Sequence, residues 1–216
     1  MAHNTIRVVR GWKFSGGRIS LDFVNSVGGR RKGAATRGST VLDDRLTSYA
    51  VLADWAEAVG ALTADAAKSL VQISRQKKRE SRQVLDRALA LRESLYGIVN
   101  DSADGRKPAT TDVETLNTEL TRAREREYLA FEGGKYLLAL ETMDTYLDSM
   151  LWPVAIDGAD LLLSGDFSRI HQCPGADCGW LFYDDSRNGS RQWCDMRTCG
   201  NLDKVRRYRA RHRPKA

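Results

Sequence analysis

The 216-residue sequence predicts a mainly α protein: a helical N-terminal domain with one β-hairpin over residues 1–166, then a small cysteine-held module over 167–216. Three observations predict it. Apolar residues recur at helical spacing through 47–120 and 142–164, a stretch around Gly133-Gly134 changes to strand character, and all four cysteines lie between 173 and 199. The length suits one ordinary domain plus an appended module, and 42% hydrophobic residues are enough for a core.

Ser20 is placed to cap a short segment, LDFVNSV, behind the turn-forming Gly16-Gly17. Asp22 and Asn25 lie close together in it and could hold a ligand; capping and local turn hydrogen bonds explain them as well, and the structural role is preferred. Residues 28–40, GGRRKGAATRGST, read as a mobile basic loop, with Arg30, Arg31, Lys32 and Arg37 available to an anion. Thr47 or Ser48 starts an amphipathic helix through Tyr49, Leu52, Trp55, Ala56 and Val59 that Gly60 ends, and Thr63 caps a second through Leu70 and Ile73.

A longer helix covers 80–100 on Val84, Leu85, Leu89, Leu91, Leu95 and Ile98, DSADGRKPAT breaks it, and Asp112 begins the next. REYLAFEGGKYLLALET holds two β-prone runs around Gly133-Gly134, a two-residue hairpin turn. Residues 142–164 are apolar on nearly every side, a central helix kinked or interrupted at Pro153 and ended by Gly165.

The cysteines are spaced Cys-x4-Cys, fifteen residues, Cys-x4-Cys. Cys173, Cys178, Cys194 and Cys199 thus form two pairs of thiolates, the donor set of one tetrahedral Zn2+ ion. The opening MAHNTIRVVRGWKF has no apolar run of a signal peptide, and no stretch is long and apolar enough to span a membrane, so the expected place is the cytoplasm, where disulfides are rare. His171 is the one competing ligand nearby. Four thiolates leave no open position for substrate, so the ion is structural, and on the order of 10–16 kcal/mol of binding would supply most of the module's folding energy.

Charge is as unevenly placed as cysteine. Residues 167–216 hold 11 Lys+Arg against 5 Asp+Glu, whereas residues 1–166 hold 23 of each. A zinc tetrathiolate carries −2, so about +4 of the module's charge remains to act on a polyanion.

Between the cysteine pairs, residues 180–183 read as a strand, SRNGSR as a hairpin tip and QWC as its return. GNLDKVRRYRARHR reads as a helix with Leu202, Val205 and Tyr208 packed on that hairpin and Lys204, Arg207 and Arg211 on another side. Hairpin, metal and helix make a treble-clef-like zinc finger. Its candidate nucleic-acid contacts are Arg187 and Arg191 at the tip and Lys204, Arg206, Arg207, Arg209 and Arg211 on the helix, with Arg213 and Lys215 beyond. Trp180, Tyr183 and Trp193 could stack on RNA bases, but their alternation suits core.

CPGADCGWLFYDDSRNGSRQWCDMRTCGN and the basic helix after it resemble the CGNR zinc-finger family, whose finger follows a helical domain known as ABATE, described as stress-induced transcription regulators in bacteria. GGRISLDFVNSV is similar to the opening motif of that domain. The resemblance covers the whole chain and implies DNA binding. One departure is plain: Cys199-Gly200-Asn201 is followed by Leu202 in place of the family's arginine, so a phosphate contact made there would fall to Arg197, Lys204 or Arg206.

The leading expectation is a DNA-binding transcription regulator whose N-terminal domain senses a small molecule, oligomerises or meets another protein. The alternative is a zinc-stabilised protein-interaction or RNA-binding module without sequence-specific DNA binding. An enzyme is least expected: the N-terminal domain's one histidine is His3, and no nucleophile with a base, open metal site or phosphate loop is evident.

Overall fold

The computed structural model describes residues 6–31 and 40–212; His3, Lys32, Arg37, Arg213 and Lys215 lie outside the described residues. The body runs β1 (Arg7–Val9), β2 (Trp12–Phe14), α1 (Ile19–Val24), β3 (Arg30–Arg31), β4 (Thr40–Val41), α2 (Tyr49–Val59), α3 (Ala64–Gln76), α4 (Lys78–Ala103) and α5 (Thr110–Arg124). It continues through β5 (Glu127–Glu132), β6 (Lys135–Leu140) and α6 (Trp152–Ser164); β7 (Ile170–Gln172), β8 (Leu181–Tyr183) and α7 (Asn201–Arg211) form the C-terminal module. The protein is mainly α, and its strands pair antiparallel in twos: β1 with β2, β3 with β4, β5 with β6, β7 with β8.

Local chemistry sets the helix ends. The Ser48 and Thr63 hydroxyls accept hydrogen bonds from the backbone N–H of Val51 and Ala66, and the left-handed Gly60 closes α2. Gly133 and Gly134 both take positive φ, the two-residue turn that matches strand twist in a hairpin. α1 packs on both α4 and α6. One apolar core joins Leu21, Phe23 and Val24 of α1 to Trp55, Leu91, Leu95 and Val154, and it reaches Ile170 and Leu181 in the C-terminal module.

Several expectations are corrected. Ser20 lies inside α1, not at its cap, and its backbone N–H and hydroxyl both donate to Asp157. Pro153 sits in the first turn of α6, where its missing N–H is not needed, so 142–164 is an irregular approach and a 3-10 turn, Ser149–Leu151, before one straight helix. β1 and β2 form a hairpin through Arg10-Gly11 that brings Trp12 and Phe14 into the core, a pattern too short to stand out by period. The ends of segment 28–40 are not loop: Arg30 pairs with Val41 and Arg31 with Thr40.

Candidate metal centre and nucleic-acid interface

Cys173 follows β7 directly, Cys178 closes the turn after it, and Cys194 precedes the single π turn, Met196–Gly200, that holds Cys199 and leads into α7. The four sulfurs lie within 4.8 Å of one another, with Cys178 and Cys194 at 3.5 Å and Cys194 and Cys199 at 3.6 Å. A disulfide would bring a pair to about 2.05 Å. Four sulfurs at about 2.3 Å from a central ion stand about 3.8 Å apart, so the observed spacings fit a tetrahedral shell.

The surroundings fit it too. A Cβ on Gly175 would lie 3.4 Å from the Cys199 Sγ and 3.7 Å from the Cys173 Sγ, so the chain passes directly over the sulfurs. The neighbouring thiols push the Cys173 pKa below the ordinary thiol value, and the same neighbours, with burial, push that of Cys194 up. Full ionisation of the cluster therefore calls for a cation. His171 lies against the Phe182 ring, outside the sulfur cluster.

The finger's hairpin differs from the expected one. β8 pairs with β7, which precedes the first cysteine pair, and not with the QWC segment. Asp184 accounts for this: its carboxylate accepts from the N–H of Ser186 and of Arg191, closing a loop where a return strand would have paired. Arg191, expected at an outward tip, turns inward. Its guanidinium donates to the carbonyls of Tyr183, Trp193, Cys194 and Ser15 at 2.7–3.3 Å and lies over the Phe182 ring. Arg187, beside the Ser186–Gly189 turn, and Arg197 are exposed. Trp180 is buried with its Nε1 donating to the Val27 carbonyl, and the Tyr183 hydroxyl donates to Asp166.

The opening motif of the helical domain is the finger's seat. Asn25 Nδ2 donates to the Leu181 carbonyl at 2.7 Å and its Oδ1 accepts from the Leu181 N–H at 2.9 Å, as a strand would. Tyr183 N–H donates to Gly16 O, Arg30 N–H to Cys178 O, and Lys13 reaches Asp195 at 2.8 Å. Gly29 carries no side chain because a Cβ there would collide with the Asp177 carbonyl. Asp22 accepts from the N–H groups of Ser15 and Gly16 at 2.9 and 2.7 Å. Both candidate ligand residues thus hold protein backbone, Asp22 within its own turn and Asn25 across 156 residues, where a local cap or turn bond is expected from the sequence.

Arg30, which reads as a loop cation, is 1% exposed. Its guanidinium meets Glu93 at 2.6 Å and lies 4.0 Å over the Tyr96 ring, whose hydroxyl accepts from Gln172 of β7. Arg92 continues the network to Glu93 and, through two hydrogen bonds, to Asp44. Burial opposes the Glu93 carboxylate, but Arg30 and Arg92 hold its pKa below the ordinary value. The basic run GGRRK signals charge; the carboxylate that Arg30 meets, Glu93, comes from α4, 63 residues on.

α7 is the opposite case. Leu202, Val205 and Tyr208, expected to pack on the hairpin, are exposed, and no residue of the helix is buried. Arg207 pairs with Asp203 one turn earlier. Among the described residues, Lys204, Arg206, Arg209 and Arg211 make no ion pair, so four of the five described cations of the helix are left unneutralised.

Two family matches bear on the chain. The ABATE family, described as “Putative stress-induced transcription regulator”, matches residues 17–165, and the CGNR zinc finger matches 169–212. No curated protein matches. The ion that suits the sulfur cluster is zinc, and Cys173, Cys178, Cys194 and Cys199 are the residues that would hold it; bound there, it would fix the knuckle after β7 to the π turn that leads into α7. Among the described residues, no helix is long and apolar enough to cross a membrane.

Proposed function

We propose, since the chain belongs to the ABATE family and ends in a CGNR zinc finger, that it is a DNA-binding transcription regulator acting in the cytoplasm. The observation that carries this reading is α7: a helix with no buried residue and, among the described residues, no ion pair to Lys204, Arg206, Arg209 or Arg211, joined to the metal centre through the π turn that holds Cys199. Arginine forks suit phosphate and guanine edges. Arg197, in the turn before the helix, and Arg187, on the loop after β8, are exposed and open to the same polyanion, whereas Arg191 is committed to the protein's own carbonyls. Leu202 stands where the family has arginine, and Arg206, one turn later on the same side, takes its place in this reading.

The role is binding without catalysis: four protein sulfurs fill a tetrahedral shell. The helical domain would respond to an effector or partner and pass that response through the Asn25–Leu181 and Lys13–Asp195 contacts. A second reading, a protein-contact module, is favoured by the exposed Leu202, Val205 and Tyr208 on the same helix.

The test is selection of the zinc-loaded chain on a random duplex-DNA pool, beside a variant with Lys204, Arg206, Arg209 and Arg211 replaced by Gln. Enrichment of a defined motif by the native chain alone supports the regulator. Equal retention by both proteins, or none by either, sinks it and leaves the protein-contact reading.

A further inference from the structure

Among the described residues, nothing covers one side of the β5–β6 hairpin. β5 and β6 pair with each other, placing Leu129 opposite Leu138 and Phe131 opposite Tyr136, whose ring centroids are 4.9 Å apart. Successive strand residues alternate sides, so these four share one side of the ribbon. They are 63–71% exposed, and the one charge on that side, Glu127 at the base, is held by Arg124 at 2.7 Å. A lone two-stranded ribbon is marginally stable in water, and a contiguous exposed apolar side marks a contact surface.

We infer that this hairpin is the protein's dimer interface, its apolar side packing on the same side of a second copy's hairpin. Charge favours a second copy over a foreign partner. The four-residue patch carries no charge and sits on a segment, residues 1–166, with 23 basic and 23 acidic residues, so at this site a second copy meets no like charge and nothing steers an ionic partner. Size agrees. The four side chains offer roughly 500 Å²; two-fold apposition buries the patch on both chains, about 1,000 Å² in all, the least a specific interface needs. Such a dimer would present two copies of α7 in two-fold relation, but the inference does not depend on DNA binding.

The experiment is sedimentation velocity on the zinc-loaded full chain from micromolar to hundreds of micromolar. A monomer–dimer equilibrium is expected. Phe131→Lys with Leu138→Lys should weaken association by about a hundredfold or more, since charge would enter the centre of the contact. Leu163→Lys, at an exposed site on α6, should leave it unchanged, with helical circular dichroism and zinc content monitoring the fold in each protein. A native chain monomeric at every concentration, or a dimer that survives the double substitution, overturns the inference. Should the double variant misfold, a benzophenone amino acid at Tyr136 decides: a covalent self-dimer on irradiation supports the interface and its absence overturns it.

Discussion

Arg30 and Arg206 are the same side chain in short basic segments, GGRRK and KVRRYR, and the fold gives them opposite environments. Arg30 is sealed between Glu93 and the Tyr96 ring, whereas Arg206 stands in solvent on a helix that buries nothing. What separates them is the supply of acceptors. The 28–31 segment folds beneath α4 and meets the Glu93 carboxylate and the Tyr96 ring there; α7 follows the metal centre, and among the described residues the one ion pair it makes is with its own Asp203. The inner set of arginines holds the finger to the body, and the outer set faces solvent.

Removing zinc should part the two sets most sharply. Binding at such a site is worth on the order of 10–16 kcal/mol, and the module's own core is small. Chelation is expected to abolish the helical signal of α7 and disorder 173–200, while α2–α6 keep their circular dichroism with a lower Tm. If α7 stayed ordered without metal, the sulfur cluster would not be what positions the outer arginines.

Next in size is Arg30→Ala. It removes a fully buried side chain, leaves a cavity against Tyr96 and strips the Glu93 carboxylate of its closest cation. The expected loss is about 3 kcal/mol of unfolding free energy, read by urea titration. A loss within about 0.5 kcal/mol, the range of surface substitutions, would place Arg30 with the outer set.

Asp22 gives a smaller effect with a defined pH window. Burial pushes its carboxyl up to about 6, against the N–H groups of Gly16 and Ser15 and the charges of Arg7 and Arg191. The folded state therefore holds this proton more tightly than the unfolded chain, where a carboxylate titrates near about 4. Its stabilising contribution is present below about pH 4 and lost as pH rises through about 6. Asp22→Asn keeps an acceptor oxygen and removes the ionisation. The variant should be more stable than the native chain by about 2 kcal/mol at pH 7, the difference vanishing below about pH 4. Parallel melting curves across that range would show that the site is not desolvated.

The sequence made some of this legible and hid the rest for physical reasons. Helices with capping residues and one apolar side were readable, as were the Gly133-Gly134 hairpin and the zinc ligands, because each signal lies within a few residues of its effect. The partner of β8 was not: Asp184 closes the 184–191 loop on itself through two N–H groups, and a strand-like apolar run does not show on which side, toward β7 or toward QWC, it will pair. Nor was the seat of the finger. Asn25 imitates a strand toward Leu181, 156 residues away, and nothing in LDFVNSV names that partner. The periodicity of Leu202, Val205 and Tyr208 was read correctly as one side of a helix, but period shows which residues align and not whether anything covers them.

The smallest stability effect belongs to the outer arginines and is the most telling for function. Arg206→Gln, Arg209→Gln and Arg211→Gln each remove an exposed guanidinium with no ion pair among the described residues, so each should change unfolding free energy by less than about 0.5 kcal/mol. Under the DNA-binding reading the same substitutions act on salt dependence. The slope of log affinity against log salt should fall by about 1 for every phosphate contact removed, and affinity should weaken across all sequences alike. A residue that reads a base would behave differently, weakening one site more than others. Fluorescence anisotropy at several salt concentrations, on a selected site and a scrambled one, separates the two behaviours residue by residue. Slopes unmoved by all three substitutions would mean that the exposed arginines of α7 do not touch the phosphates, and that its apolar stripe is the side that meets the partner.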